Sequence, residues 1–214
     1  MIQIKSFTFN PFAENTYILY DETKECVIID PGCYEEYEKK EIESFVESNE
    51  LKVVQLLNTH CHIDHVFGNK WVKDRYGVKL AIHKEDEVTL NAVLSYAPAY
   101  GFTNFESTNA DTYLEDGGQI IFGTSILDIV FVPGHSPGHV AFYNLEENFC
   151  IGGDVLFDGS IGRTDLPGGN HDQLINNIRE KIFQWPDDIV VYCGHGPETT
   201  VGKEKRTNPF CAIA

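Results

Sequence analysis

Val53-Val54-Gln55-Leu56-Leu57 is followed, after Asn58, by Thr59-His60-Cys61-His62-Ile63-Asp64-His65. An apolar, strand-like run therefore ends in a turn that holds four potential metal ligands in six positions: His60, His62, Asp64 and His65. Imidazole and carboxylate are the side chains that bind borderline divalent metals at neutral pH. His60 and His62 stand two apart and can converge on one metal, whereas Asp64 and His65 lie past the bend and can address another. Cys61 falls between two of these donors. Neighbouring side chains in an extended segment point apart, so Cys61 is expected to face away from a metal held by His60 and His62.

Three solitary donors follow, each in a Gly-rich turn after an apolar run: His135 in Pro133-Gly134-His135-Ser136-Pro137-Gly138-His139, Asp154 in Gly152-Gly153-Asp154-Val155-Leu156-Phe157, and His195 in Cys193-Gly194-His195-Gly196-Pro197. One tetrahedral ion cannot use all seven donors; two ions can. The economical assignment gives His60, His62 and His135 to the first metal and Asp64, His65 and His195 to the second. Asp154 then bridges them, and Asp64 and Asp154 are the carboxylates assigned to catalysis. Each ion keeps an open position, and a pair about 3.5 Å apart would hold a hydroxide at neutral pH. His83, His139 and His171 read as ordinary hydrogen-bonding residues. Of these, His139 is the one placed to order its turn or support a ligand.

Outside the donors, the chain is acidic and globular in composition. It has 214 residues, 42% hydrophobic and 12% aromatic, and a formal charge of −17. That charge argues against nucleic acid or an anionic membrane as a partner, because phosphate recognition rests on Lys and Arg. No apolar run is long enough to span a bilayer, and Met1-Ile2-Gln3-Ile4-Lys5 alternates like a strand rather than forming a signal-peptide core. A cytoplasmic location is expected. Six cysteines, at 26, 33, 61, 150, 193 and 211, form no C-x-x-C pair and read as reduced, buried thiols. Lys203, Lys205 and Arg206 cluster shortly after His195. They read equally as a solvated helix start or as an anion-recognising patch.

No linker, repeat or low-complexity tract interrupts the chain, so a single domain over 1–214 is expected. Strands are expected at Ile2–Phe9, Thr16–Tyr20, Cys26–Ile29, Val53–Leu57, Lys79–Ile82, Ile120–Phe122, Ile126–Val132, Val140–Tyr143, Phe149–Ile151 and Ile189–Tyr192, each bounded by turn residues. Helical spacing recurs over 34–50, 69–75, 85–94 and 171–182. Strands in two groups with interspersed helices predict two sheets packed face to face, with helices outside and the ligand turns on one rim. Ser95–Asp111 lacks periodicity and carries several aromatics, which either pack the loop down or face a substrate.

Thr59–His65, Gly134-His135, Gly153-Asp154 and Gly194-His195 resemble, in order, the metal signature of the metallo-β-lactamase fold superfamily. The resemblance implies an α+β fold, an αββα sandwich of two mixed β-sheets flanked by helices, with the ligand assignment given above. Within that superfamily, Asp154-Val155-Leu156-Phe157 through Ser160-Ile161-Gly162-Arg163-Thr164-Asp165-Leu166-Pro167-Gly168-Gly169 is similar to the short glyoxalase II-like, or hydroxyacylglutathione hydrolase-like, branch. So are His195-Gly196-Pro197-Glu198-Thr199-Thr200-Val201-Gly202 and Asn208-Pro209-Phe210.

That branch implies two divalent ions, zinc foremost with iron or manganese as alternatives, and hydrolysis of a small-molecule thiolester such as S-D-lactoylglutathione. Longer glyoxalase II enzymes add a C-terminal helical domain for glutathione, which this chain is expected to lack. Lys203, Lys205 and Arg206 lie near where such enzymes place basic residues. Arg163 is a further substrate-binding candidate, read either as an ion pair with Asp165 or as the contact for a substrate carboxylate. The rival reading is a persulfide dioxygenase with one iron on His60, His135 and Asp154. A lactonase or other ester hydrolase of this fold ranks below it, and a non-catalytic binding module lower still. Oligomeric state is not legible in the sequence.

Overall fold

The structure, a computed structural model, describes residues 1–213. The chain forms two compact units, one comprising Met1–Leu114 with Ile121–Ile126 and the other Glu115–Ile120 with Leu127 onward. Each is organised by one mixed six-stranded sheet with helices beside it, as the sequence pattern predicts.

In the first unit the order of elements is β1 (Gln3–Phe9), β2 (Glu14–Tyr20), β3 (Glu25–Ile29), α1 (Glu36–Ser48), β4 (Lys52–Leu57), α2 (Ile63–Val66), α3 (Asn69–Tyr76), β5 (Leu80–His83), α4 (Glu87–Tyr96) and β6 (Thr112–Leu114). The sheet runs in sequence order, antiparallel across β1–β2–β3 and parallel from β3 to β6. Parallel strands are covered on both faces and so read as unbroken apolar runs. Cys26 to Ile29 and Leu56-Leu57 are all fully buried. Ile42 and Val46 of α1, Val72 of α3 and Leu90 and Val93 of α4 pack with Ile18, Ile28, Leu56, Leu80 and Ile82 in one core. Each such aliphatic side chain contributes roughly 1.5–3 kcal/mol by leaving water. Glu38 seats the start of α1: its carboxylate accepts from the backbone N–H groups of Tyr34, Glu35 and Asn10.

The second sheet contains β7 (Gln119–Phe122), β8 (Ser125–Phe131), β9 (Val140–Asn144), β10 (Phe149–Gly153), β13 (Val190–Cys193) and β14 (Thr199–Thr200). Its order is β14-β13-β10-β9-β8-β7. Between β10 and β13 lie a small hairpin, β11 (Leu156–Phe157) with β12 (Ser160–Ile161), and helix α5 (His171–Glu180); α6 (Val201–Thr207) follows β14. The β10–β13 pair is parallel, and the other pairs whose register is defined are antiparallel. Leu174 and Ile178 of α5 pack with Val132, Cys150, Val191 and Val201.

The expected strands and helices recur within a few residues of their predicted bounds. β6, β11, β12 and β14 are additions; at two or three residues each, they are too short to show an alternation. α4 continues to Tyr96, and a single 3-10 turn follows at Ala97–Tyr100. The stretch predicted to be irregular from Ser95 is therefore irregular only over 101–111. Phe102 and Phe105 are buried there, with Phe102 4.5 Å from Phe67 and 5.1 Å from Tyr34 between ring centroids. Tyr100 is exposed. All six cysteines are free and buried. Among the described residues no helix is long and apolar enough to cross a membrane.

One carboxylate closes the first unit. Asp21 accepts from the N–H and hydroxyl of Thr23, the N–H and hydroxyl of Thr124 and the hydroxyl of Ser125. Burial alone would push this carboxyl up. The Thr23 hydroxyl, the Thr124 and Thr23 amides and the Ser125 hydroxyl outweigh it and hold the group well below the usual carboxylate range. A depressed folded-state pKa stabilises the fold above the unfolded value, near 4, and that contribution is lost as pH falls through the lower folded value. Asp21→Asn should therefore cost about 1–2 kcal/mol near neutral pH, the amide oxygen still serving part of these donors. Urea unfolding as a function of pH should show the gap between the two proteins closing below about pH 4. A gap of constant size down to pH 2 would exclude this origin.

Candidate functional site

Most of the site residues lie beyond the ends of parallel strands, and His135 follows β8, which pairs antiparallel with β9. In open sheets, ligands collect beyond the carboxyl ends of parallel strands, where the chain turns away and leaves backbone and side chains exposed. Asp30 directly follows β3, His60 lies just past β4, Asp154 directly follows β10, and His195 comes two residues after β13.

In the first unit His60, His62, Asp64 and His65 are drawn together over the turn into α2. The His60 ring centroid is 4.8 Å from that of His62 and 4.1 Å from that of His65, and His65 Nε2 is 3.8 Å from Asp64 Oδ2. All three histidines are buried. The orientation of His60 and His65 is set by Asp30, an aspartate that no motif in the sequence marks. Asp30 Oδ2 accepts from the Thr59 hydroxyl at 2.6 Å and lies 3.2 Å from His65 Nδ1; Oδ1 accepts from the Thr59 N–H at 2.7 Å and from Asn58 Nδ2 at 3.2 Å. With its hydrogen committed to Asp30, Thr59 Oγ1 is left as acceptor for His60 Nδ1–H at 3.2 Å. One carboxylate thus places the proton of both rings on Nδ1, so that Nε2 carries the lone pair a metal needs.

Donor atoms of Asp30, His60 and His65 come within 4.8 Å of one another. Asp30's oxygens, however, already serve Thr59, Asn58 and His65, which makes it the anchor rather than a ligand. It holds a left-handed backbone conformation at φ 50°, which Asp tolerates better than most residues. Glu14 is a further buried neighbour, 3.8 Å from His65 Nδ1; burial pushes its carboxyl well up, opposed by His65.

In the second unit, Nε2 of His135 and Nε2 of His195 each lie 3.5 Å from Asp154 Oδ2. That is long for a hydrogen bond. It is close to the edge of a tetrahedron built on metal–ligand bonds of roughly 2.0–2.1 Å, about 3.3 Å. His135 Nδ1–H donates to the Arg163 carbonyl at 2.7 Å, which again leaves the lone pair on Nε2. His139, expected to support a ligand, is fully buried and its Nε2 accepts from the Asp154 N–H at 3.0 Å.

Two glycines make the approach possible. A Cβ on Gly162 would fall on the Asp154 carbonyl and stand 2.9 Å from His135 Nδ1. Gly134 has φ 136°, and a Cβ there would meet the backbone of Leu174 at the head of α5. The donor sets of both units suit a borderline divalent cation: imidazoles beside carboxylate oxygens, with Nδ1 of His60, His65 and His135 tied back.

Cys61 is buried, and its N–H and thiol both bond to Asp86. Burial pushes the thiol well above its usual range, and Asp86 adds to the shift. His83 caps the 3-10 turn ahead of α4, accepting from the Glu85 N–H, and His171 opens α5. Arg163 makes a two-pronged, exposed ion pair with Asp165 at 2.8 and 2.7 Å. Lys203, Lys205 and Arg206 ride on α6, Lys203 paired with Asp158 and the other two sharing Asp187.

The model of the metallo-β-lactamase superfamily matches residues 9–195. The hydroxyacylglutathione hydrolase GloC of Haemophilus influenzae is 35% identical over 211 residues, covering 98% of each chain. Among solved structures, the BLEG-1 B3 metallo-β-lactamase is 34% identical, with a TM-score of 0.87 over 99% of this chain and all of that one. TTHA1623, solved in a di-iron-bound form, is 34% identical with a TM-score of 0.85, over 96% of this chain and 99% of that one. With its two mixed sheets, flanking helices and ordered histidine and aspartate turns, the chain belongs to the metallo-β-lactamase superfamily.

Proposed function

We propose that this superfamily member is a cytoplasmic, single-domain thiolester hydrolase acting on S-D-lactoylglutathione or a related acyl-thiol. The observation that carries the reading is Asp154 Oδ2, which stands 3.5 Å from both His135 Nε2 and His195 Nε2. A carboxylate so placed is suited to share itself between ions. The relative GloC, matching over the whole length, supports the thiolester as substrate class. In this reading His60, His62 and His135 hold one divalent ion, Asp64, His65 and His195 hold the other, and Asp154 contacts both. When bound, the ions supply an activated water and polarise the acyl oxygen. Zinc is the first choice, and the di-iron form of TTHA1623 keeps iron open.

The chain's own residues do the rest. Asp30 and the Arg163 carbonyl hold the imidazole protons away from the ligand nitrogens. Asp64, a carboxylate only partly covered, can take the proton lost by the attacking water. Water adds to the acyl carbon, the carbon–sulfur bond breaks, and the leaving thiolate takes up the proton held by Asp64 to depart as a free thiol beside the carboxylate. Arg163, Lys203, Lys205 and Arg206 are our candidates for the substrate's carboxylates, and their present partners Asp165, Asp158 and Asp187 would yield to it.

Elemental mass spectrometry on protein purified without chelator, paired with a thiolester assay, tests the reading. About two ions per chain with turnover is expected. About one iron per chain, with oxygen uptake on glutathione persulfide and no thiolester turnover, would replace it with the dioxygenase. Asp154→Ala should lose metal and at least about a hundredfold in kcat together, more than the loss of an outer partner costs; full activity at normal metal content would sink the two-ion assignment. Cys61→Ser should keep both ions, because the hydroxyl can replace the thiol as donor to Asp86. Zinc loss in that variant would mean that Cys61 is a ligand. Replacing Lys203, Lys205 and Arg206 together by Ala should raise KM for anionic thiolesters several-fold, the three lost charge contacts being worth about 1 kcal/mol together at a largely solvated site. An unchanged KM would leave these cations as surface ion pairs only.

A further inference from the structure

The segment from Thr199 to Phe210 contains one buried carboxyl that no metal donor touches. Glu204, on α6, is fully buried. Its Oε1 accepts from the Thr199 hydroxyl at 2.6 Å, and its Oε2 accepts from the Gly159 N–H at 3.1 Å and from Asn208 Nδ2 at 2.7 Å. Asn208 Nδ2 also donates to the Ser160 carbonyl at 3.0 Å, while its Oδ1 accepts from the N–H groups of Phe210 and Cys211. Lys203 pairs with Asp158. Three consecutive residues at the tip of the β11–β12 hairpin are therefore tied to α6 or to the residue that ends it.

That hairpin has little hold of its own. Its ladder consists of Leu156 opposite Ile161 and Phe157 opposite Ser160, and two-stranded hairpins are marginal in water. Two residues before β11 is Asp154, and two residues after β12 is Arg163, whose carbonyl fixes the His135 ring. A leucine could fill the volume of Glu204 without the cost of burying a carboxyl. It would, however, leave the Thr199 hydroxyl, the Gly159 N–H and the Asn208 amide without the partner that Glu204 supplies.

We propose that Glu204 is a positioning residue of the metal site, fixing the β11–β12 hairpin through Gly159 and Asn208 so that Asp154 and the Arg163 carbonyl keep their places. The inference rests on the metal-hydrolase reading and concerns binding geometry rather than the substrate. Asn208 is the second member of the same clamp, which gives the Glu204 and Asn208 positions a role that the metal donors alone do not explain.

Cobalt(II) provides a test independent of turnover, because its visible absorption reports ligand geometry. Wild type, Glu204→Ala, Glu204→Gln and Asn208→Ala would be titrated with cobalt and also melted metal-free. Glutamine can turn its oxygen to Gly159 and Asn208 and its amide to the Thr199 hydroxyl, so Glu204→Gln should retain the wild-type spectrum and affinity. Glu204→Ala should alter the spectrum and weaken cobalt binding roughly 10–100-fold, the range seen when a ligand's outer partner is lost. Asn208→Ala, which removes the Ser160 tie and leaves the Gly159 tie to Glu204 in place, should move both readouts in the same direction and serves if Glu204→Ala does not fold. If both alanine variants melt earlier but bind cobalt with wild-type spectrum and affinity, Glu204 is a strut of the fold and the proposal is overturned. Wild type that binds no cobalt would instead overturn the metal reading, and the inference with it.

Discussion

An imidazole can offer a lone pair on a chosen nitrogen only if its proton is held on the other, and the structure is built around that constraint. Asp30 meets it twice, directly at His65 and through the Thr59 hydroxyl at His60. The Arg163 carbonyl meets it at His135. Each anchor depends in turn on packed structure. Asp30 sits where the buried run Cys26 to Ile29 of β3 ends, and its oxygens are bound by residues that leave β4. Parallel strands that bring successive chain ends to one edge of a sheet are what allow a carboxylate at position 30 to orient rings at 60 and 65. The capping of α1 by Glu38 and the burial of Ile42, Val46 and Leu56 hold those strand ends in register.

The donors themselves were legible because ligand chemistry is dense and local in sequence. Four of seven fall within six positions, and the other three each sit in a Gly-rich turn after an apolar run. The main strands were legible for a related reason: buried parallel strands are long β-branched runs with turn residues at their ends. Asp30 was not legible as a site residue, although it ends such a run before Pro31-Gly32. Its partners lie 28, 29 and 35 positions away, and a single Asp after a strand carries no periodicity. Glu204 is the same case, 45 positions from Gly159. Lys203, Lys205 and Arg206 could be counted in the sequence, yet their pairing with Asp158 and Asp187 depends on where a short hairpin and a strand-leading turn come to rest. His139 was better placed for a guess, since it shares a turn with His135, and its bond to the Asp154 N–H fits the supporting role expected of it.

Three carboxylates in this protein illustrate how environment divides labour between identical groups. Asp21 collects five donors from backbone and hydroxyl groups and stays ionised as a fastener of loops. Glu14 is buried with the Thr16 hydroxyl as a hydrogen-bond donor, and burial drives its carboxyl toward the neutral form. Asp154, between two imidazole nitrogens, has surroundings suited to a cation. Neither chain position nor residue type separates these roles; the number and kind of donors around each group does.

The buried cysteines have a consequence for how such a protein survives its own chemistry. Burial pushes the thiols of Cys26, Cys193 and Cys211 up to about 12 and moves Cys33, Cys61 and Cys150 in the same direction. Mixed-disulfide formation needs a thiolate and an approach path for the attacking sulfur, and these side chains offer neither. A catalyst that released a small thiol at every turnover, in company with that thiol's oxidised dimer, would otherwise accumulate covalent caps on its own surface. Six sulfurs kept protonated and out of reach leave thiol–disulfide exchange without a foothold on this fold.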